Sequence, residues 1–266
     1  MIPPDTRLWL IGAGNMGGAM LARWIAGGVL DAAQVTAIDP GAPDVPDGVR
    51  LVAAPPEGEQ ADIIILATKP QLLDTVAPSL ATSQPRLLIS ILAGIEEAAL
   101  SARIPAGATV RAMPNLPVSL GRGVVALHSS DANEQARATA EALMAPLGLV
   151  EWVADEHLFH AVTALSGSGP GFVYRFIAAM AEAGAALGLP ADQAERFAIA
   201  TVEGAAALAA DSRDTPAALA NRVASPGGTT RAGLDILDHD GAMRRLIGDT
   251  LAAASRRSEE LAAAAR

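Results

Sequence analysis

Apolar residues in the first half of the chain come in short unbroken runs, separated by segments of helical spacing. Arg7–Ile11 is one such run and ends at Gly12; Val35–Asp39, Asp62–Thr68 and Leu87–Leu92 repeat the pattern. The stretch Ile63-Ile64-Ile65-Leu66 is β-branched and too short for a helix. Runs of this kind read as strands buried on both faces, the signature of a parallel sheet. Shorter strands are predicted at Val49–Ala53, Thr109–Ala112, Val124–His128 and Val150–Val153, and helices over Asn15–Ile25, Gln71–Leu80, Glu96–Ala102 and Ala132–Met144. Strands alternating with helices predict βαβ units and a mainly parallel sheet.

The pattern changes near residue 155. Beyond it no strand is predicted. Gly171–Leu187, Asp192–Ala210 and Gly241–Ala264 are long, Ala-rich and helical in spacing, with Pro190 and Pro216 placed where helices begin and Pro226 at a break. The expected fold class is an α/β parallel-sheet domain over residues 1–155 followed by an all-α domain over 156–266. Ala-rich helices approach closely, and such a domain gains stability by packing against a second copy.

Composition narrows the function classes. The chain has 266 residues, 51% of them hydrophobic and only 18% charged, enough for a core and too few charges for a disordered chain. The net charge of −10 excludes a general attraction to nucleic-acid phosphates or anionic lipid. The 4 Phe, 3 Trp and 1 Tyr argue against a base-stacking surface. Neither a nucleic-acid partner nor a membrane is expected, and no signal peptide or bilayer-spanning run is visible. With no Cys, disulfides, thiolate metal sites and a thiol nucleophile are excluded, which fits a reducing cytoplasm. His128, His157, His160 and His239 form no metal framework, so no metal is expected; His157 and His160 read as structural or exposed.

Gly12-Ala13-Gly14-Asn15-Met16-Gly17 fits GxGxxG, follows a predicted strand and opens a predicted helix. An acid, Asp39, closes the next strand 22 residues after Gly17. That context makes the motif a dinucleotide-binding turn. Gly12 allows the tight turn, Gly14 admits the pyrophosphate, and Gly17 lets helix and strand pack. Asp39 is placed to accept from the adenosine ribose hydroxyls, which leans to NADH; it also suits the turn before Pro40-Gly41. The nearest downstream arginine is Arg50.

Thr68-Lys69-Pro70 lies at the end of the fourth strand, where ligands of open α/β sheets bind. Lys69 is the sole lysine, against eighteen arginines. Pro70 pushes it to an extended backbone. In Arg111-Ala112-Met113-Pro114-Asn115-Leu116-Pro117 two prolines fix a loop that presents Asn115 as a donor, or serve as a rigid turn. Thr163-Ala164-Leu165-Ser166-Gly167-Ser168-Gly169-Pro170 reads as a loop of small residues ahead of a long helix, and Ser225-Pro226-Gly227-Gly228-Thr229-Thr230 as a loop between helices. Small residues before a helix expose N–H groups that suit a carboxylate or phosphate, or let backbones pack closely.

Taken in order, these segments resemble pyrroline-5-carboxylate reductase over essentially the whole chain. The paired Ser166-Gly167-Ser168-Gly169-Pro170 and Ser225-Pro226-Gly227-Gly228-Thr229-Thr230 segments carry most of the specificity. The resemblance implies a Rossmann domain, a helical dimerisation domain, active sites built at the dimer interface, and assembly as a homodimer or a ring of dimers. The implied reaction is hydride transfer from NAD(P)H to L-1-pyrroline-5-carboxylate, giving L-proline in the last step of proline biosynthesis. Gly227, Gly228 and Thr229 offer N–H groups to the substrate carboxylate beside Ser225, and Thr230 hydrogen-bonds the ring nitrogen as the catalytic residue. Gly12, Gly14, Asn15, Met16, Gly17, Thr68, Lys69, Pro70 and Asn115 line the cofactor, and Thr163 and Ser166 its nicotinamide. Asp39 departs from the Thr, Ser or Asn common in NADPH-preferring members, so the family points to NADPH and Asp39 to NADH. Two other readings stand beside this one. One is another imine or β-hydroxyacid-type reductase on the same plan, the β-hydroxyacid class being disfavoured because no Lys follows Lys69. A non-catalytic dinucleotide-binding regulator leaves the second small-residue loop unexplained.

Overall fold

The apolar runs become the centre of an eight-stranded sheet. In the computed structural model, which describes residues 2–264, the first part of the chain forms β1 (Leu8–Ile11), α1 (Asn15–Ala26), β2 (Val35–Ile38), β3 (Arg50–Val52), β4 (Ile63–Leu66), α2 (Leu73–Leu80), β5 (Leu87–Ser90), α3 (Glu97–Arg103), β6 (Thr109–Pro114), β7 (Gly123–His128), α4 (Glu134–Met144) and β8 (Gly148–Trp152). The strand order is β3-β2-β1-β4-β5-β6-β7-β8. All residues of β1, β4 and β5 are buried. Alternate residues serve the two faces: Ile63 and Ile65 pack with Met20 and Trp24, while Ile64 and Leu66 pack with Leu73 and Leu100. A strand covered on both faces has no polar positions to alternate, which is why the runs were continuous.

Strands β1 to β6 are parallel, and β7 pairs antiparallel to β6 and parallel to β8. The reversal has a simple cause. Only eight residues link β6 to β7, fewer than a crossover helix needs.

The remainder forms α5 (Leu158–Val162), α6 (Gly169–Ala186), α7 (Ala191–Asp211), α8 (Pro216–Arg222), α9 (Thr229–Asp238) and α10 (Ala242–Ala264). The packing divides into two units. The first runs to Ser168 and also takes the chain from Ala254 onward; the second is Gly169–Ala253. This packing groups residues 156–168 with the sheet, because Arg111 and Asn115 hold Glu156 and Ser166. Met1 and residues 265–266, at the outer limits of the two expected domains, lie outside the described residues.

The second unit has few buried side chains. Its buried hydrophobic residues are Ala194, Ala198 and Ala224, while Val173, Tyr174, Phe176, Phe197, Ile199 and Leu246 are exposed. Small alanines in the interior and large side chains outside leave its apolar surface uncovered.

Candidate active site

The glycine turn follows β1 as its spacing demands. Gly12 has φ +93°, and a Cβ there would stand 2.8 Å from the Ala67 carbonyl oxygen. At Gly17 a Cβ would stand 2.2 Å from the Gly12 carbonyl oxygen, so only glycine lets α1 begin this close to the strand. Gly14, exposed at the N-cap of α1, faces nothing within 4 Å. Open space over a helix N-terminus is what a pyrophosphate requires, so these residues fit a bound dinucleotide. Asn15 is exposed in the first turn, and Met16 packs partly against the core.

Asp39 ends β2 as expected, and both of its carboxylate oxygens are engaged. Oδ2 accepts from the Ala13 N–H at 2.9 Å and Oδ1 from the Gly41 N–H at 2.8 Å. Asp39 therefore closes the turn and also ties it to the glycine loop, with lone pairs left for ribose hydroxyls. A cavity of about 530 Å³ runs from Gly12 and Gly14 past Asp39 and Pro40 to Thr68 and Lys69. Lys69 has the extended backbone that Pro70 imposes (φ −70°, ψ 142°). Arg50 lies outside this lining and pairs with Glu59 at 2.8 Å.

A second cavity, about 660 Å³, opens at the ends of β4 and β5. Its lining includes Pro70, Gln71, Ala93, Gly94, Thr163, Ser168 and, on the last part of α10, Arg257 and Ser258. Motif reasoning did not find these α10 residues, because no local pattern marks them. His160 joins this region through its Nδ1, 2.9 Å from Ser258 Oγ, and His157 is exposed.

The expected loop over 163–170 is not a loop. Leu158–Val162 is α-helical, Thr163–Gly167 is a π-helical turn closed by Ser168 N–H to the Thr163 carbonyl at 2.8 Å, and α6 follows at Gly169. Pro170 explains the irregularity. It has no N–H for the Ser166 carbonyl four residues back, so a regular α-helix through this point lacks a bond. The Asn115 Nδ2 donates to that carbonyl at 3.0 Å, while its Oδ1 accepts from the Val124 N–H at 2.8 Å. Asn115 is buried. Its Oδ1 and one of its two amide hydrogens are thus engaged within the protein. Thr163 and Ser166 donate their hydroxyl hydrogens to the Phe159 and Val162 carbonyls, at 2.7 and 3.0 Å.

Glu156, which carried no sequence signal, anchors the entry to this segment. Its Oε1 accepts from Arg111 Nη1 and from the Glu97 N–H, each at 2.7 Å. Arg111 also lies over the Phe159 ring, 4.5 Å from its centroid. Burial pushes the Glu156 carboxyl up, but the Glu97 N–H, Arg111 and His128 together outweigh it and hold the group below its ordinary value. A depressed folded-state value means stability that is complete above the ordinary carboxylate range and is lost as pH falls through that value. Glu156→Gln should therefore lower Tm at about pH 7, and the deficit should shrink by about pH 3. Thermal melts across that range check this; a deficit that does not change with pH would exclude the ionised carboxylate as its source.

In the helical unit, α8 and α9 flank the expected loop. Gly227 has φ +71°, and Gly228 caps α9 while donating its N–H to the Ser225 carbonyl at 3.0 Å. That bond corrects the expectation for Gly228, whose N–H is spent within the turn. The N–H groups of Thr229 and Thr230 open the helix and have no intrahelical acceptor. Ser225, Pro226, Gly227, Thr229 and Thr230 are exposed. The loop offers N–H donors and two hydroxyls at the start of a ten-residue helix, an arrangement suited to a carboxylate.

A family profile described as pyrroline-5-carboxylate reductase dimerisation matches residues 156–261, and one described as NADP oxidoreductase, coenzyme F420-dependent, matches residues 7–94. A pyrroline-5-carboxylate reductase of Synechocystis is 39% identical, over 96% of this chain and 98% of its own. The solved structure of a pyrroline-5-carboxylate reductase from Coxiella burnetii is 30% identical, with a TM-score of 0.86 over 96% of this chain and 98% of that one. The Plasmodium falciparum pyrroline carboxylate reductase, solved with NADP bound to it, shares the fold at 24% identity, with a TM-score of 0.82 over 97% of this chain and 99% of that one. Fold and site define a reductase that uses a nicotinamide cofactor, with a Rossmann-type sheet and a helical dimerisation domain. The chain belongs to the pyrroline-5-carboxylate reductase family. No helix among the described residues is long and apolar enough to cross a membrane.

Proposed function

We infer that the protein reduces L-1-pyrroline-5-carboxylate to L-proline. The observation that carries this reading is the exposed Ser225–Thr230 turn, where unpaired N–H groups and the Thr230 hydroxyl stand together at the start of α9. A cyclic imine binds already protonated, so no strong protein acid is needed. The N–H groups at Gly227 and Thr229, beside Ser225, hold the carboxylate, Gly228 shapes the turn, and Thr230 donates to the ring nitrogen. Bound NAD(P)H supplies the hydride. Gly12, Gly14, Asn15, Met16 and Gly17 hold the pyrophosphate turn, and Thr68, Lys69 and Pro70 carry the site from the adenosine towards the nicotinamide, where Thr163 and Ser166 stand. The test follows oxidation of NADH and NADPH with pyrroline-5-carboxylate and with a β-hydroxyacid panel. Turnover of the hydroxyacids alone would overturn the reading.

The preferred cofactor in this reading is NADH. Asp39 stands where the adenosine ribose passes, and among the described residues lining that cavity the sole cation is Lys69. A 2′-phosphate there meets a carboxylate and no arginine. Asp39→Ser is expected to raise kcat/KM for NADPH relative to NADH by roughly tenfold or more, about 1.4 kcal/mol. An unchanged ratio would leave Asp39 only its bonds to Ala13 and Gly41.

The working form in this reading is a homodimer or a ring of dimers, with residues 156–266 as the dimerisation domain of a cytoplasmic enzyme. The large apolar side chains exposed on α6 and α7 support it, since a second copy gives them cover. Light scattering on the active protein should read a multiple of the dimer mass.

A further inference from the structure

Arg111 and Met113 share one face of β6, as alternate residues of a strand do, and Asn115, one residue past its end in extended backbone, continues the alternation. All three meet the segment that leads into α6. Arg111 holds Glu156 at 2.7 Å and covers Phe159. The Met113 methyl would lie 3.7 Å from a Cβ built on Gly167. Asn115 holds the Ser166 carbonyl at 3.0 Å. The Asn115 Oδ1 serves the nearby Val124 N–H, but its Nδ2 answers a need set by the chain four residues beyond Ser166. Pro170 cannot serve that carbonyl, and Asn115 supplies the missing donor.

We propose that Asn115 is a positioning residue for the nicotinamide end of the site, acting through the π-helical turn and not by touching the cofactor. The turn carries Thr163, which lines the cavity at the ends of β4 and β5. The Thr163 hydroxyl hydrogen is spent on the Phe159 carbonyl. Its oxygen is therefore an acceptor, matched to the N–H groups of a nicotinamide carboxamide. A regular α-helix would carry Thr163 and Ser166 round by a different angle and move that oxygen. The Asn115 bond to Ser166 and the Ser168 bond to Thr163 oppose this change, and the Arg111–Glu156 pair fixes the entry to α5. This proposal rests on the nicotinamide cofactor of the reading above.

The test uses binding alone, so it is separate from turnover of the imine. Titration calorimetry compares three ligands on wild type, Asn115→Ala and Thr163→Val. They are NADH, reduced 3-acetylpyridine adenine dinucleotide, which has a methyl ketone in place of the carboxamide, and ADP-ribose, which ends before the ring. Wild type is expected to bind NADH about tenfold or more tighter than the acetylpyridine analogue, because the analogue lacks the N–H donors. Both variants should bring that ratio to within about threefold of one and leave ADP-ribose affinity within about twofold of wild type. A wild-type ratio retained in Asn115→Ala overturns the proposal. So does an equal loss of NADH and ADP-ribose affinity, which marks a purely structural role. If Asn115→Ala does not fold, Asn115→Asp carries the same outcomes: it keeps the acceptor for Val124 and loses the donor to Ser166. Absence of imine turnover by a wild type that passes this test would sink the proposed reaction and leave the positioning role standing.

Discussion

Thr230→Ala should lower kcat roughly 10²-fold, near 2.7 kcal/mol, with cofactor affinity close to wild type. Reduction of the protonated imine removes its positive charge and leaves the ring nitrogen with a lone pair. A hydroxyl donor stabilises that lone pair as it forms, so its loss falls on the chemical step more than on binding. Thr230→Ser keeps the donor and should lose much less. The hydroxyl does not titrate in the working range, so the fall in kcat/KM at high pH should follow the substrate imine and keep its midpoint in both variants. The geometry sharpens the test. Thr230 is the second residue of α9, directly after Thr229, which follows the Gly228 cap, and it is exposed. If Thr230→Ala keeps full kcat, the residue only opens the helix. The neighbouring Gly228→Ala acts differently. A methyl there would stand 2.7 Å from Ser225 Oγ and 3.1 Å from its carbonyl oxygen. It should distort the turn and raise KM for the imine most.

Gly17→Ala and Gly14→Ala should separate the two jobs of the glycine turn. A carbon placed 2.2 Å from the Gly12 carbonyl oxygen cannot fit while α1 keeps its place. Gly17→Ala should cost about 3 kcal/mol, seen as a lower Tm and roughly 10²-fold weaker NADH binding. Gly14 faces no protein atom within 4 Å and has an ordinary φ of −69°. Gly14→Ala should keep the wild-type Tm and still weaken NADH, because its methyl enters the space proposed for the pyrophosphate. Melting curves paired with NADH titrations distinguish the two. A Gly14→Ala protein that binds NADH like wild type would move the pyrophosphate away from this turn.

Much of the architecture is local, and so is readable along the chain. Central strands covered on both faces leave continuous apolar runs, and the Ala-rich helices keep their period whatever they pack against. The glycine turn is legible because much of its demand is local: Gly12 takes φ +93°, and Gly17 must clear the Gly12 carbonyl five residues back. Asp39 is legible for the same reason, since its place follows from the length of one βαβ unit. The sequence by itself therefore determined the two-part plan, the cofactor turn and the small-residue turn before α9.

Only the tertiary structure decided how residues 156–168 behave. Small residues with a proline behind them look like a loop when local propensity is the sole guide. Asn115 and Ser166 are 51 positions apart, and Arg111 and Glu156 are 45 apart. Partners at that distance leave no period in the chain. The missing N–H of Pro170 is visible in the sequence, but the donor that replaces it is brought there by the strand order of the sheet. The same holds for Asp39, whose bond to the Ala13 N–H exists because β1 and β2 are neighbours. Periodicity records which face of an element is apolar; which polar group meets which is settled by the packing of elements distant in sequence.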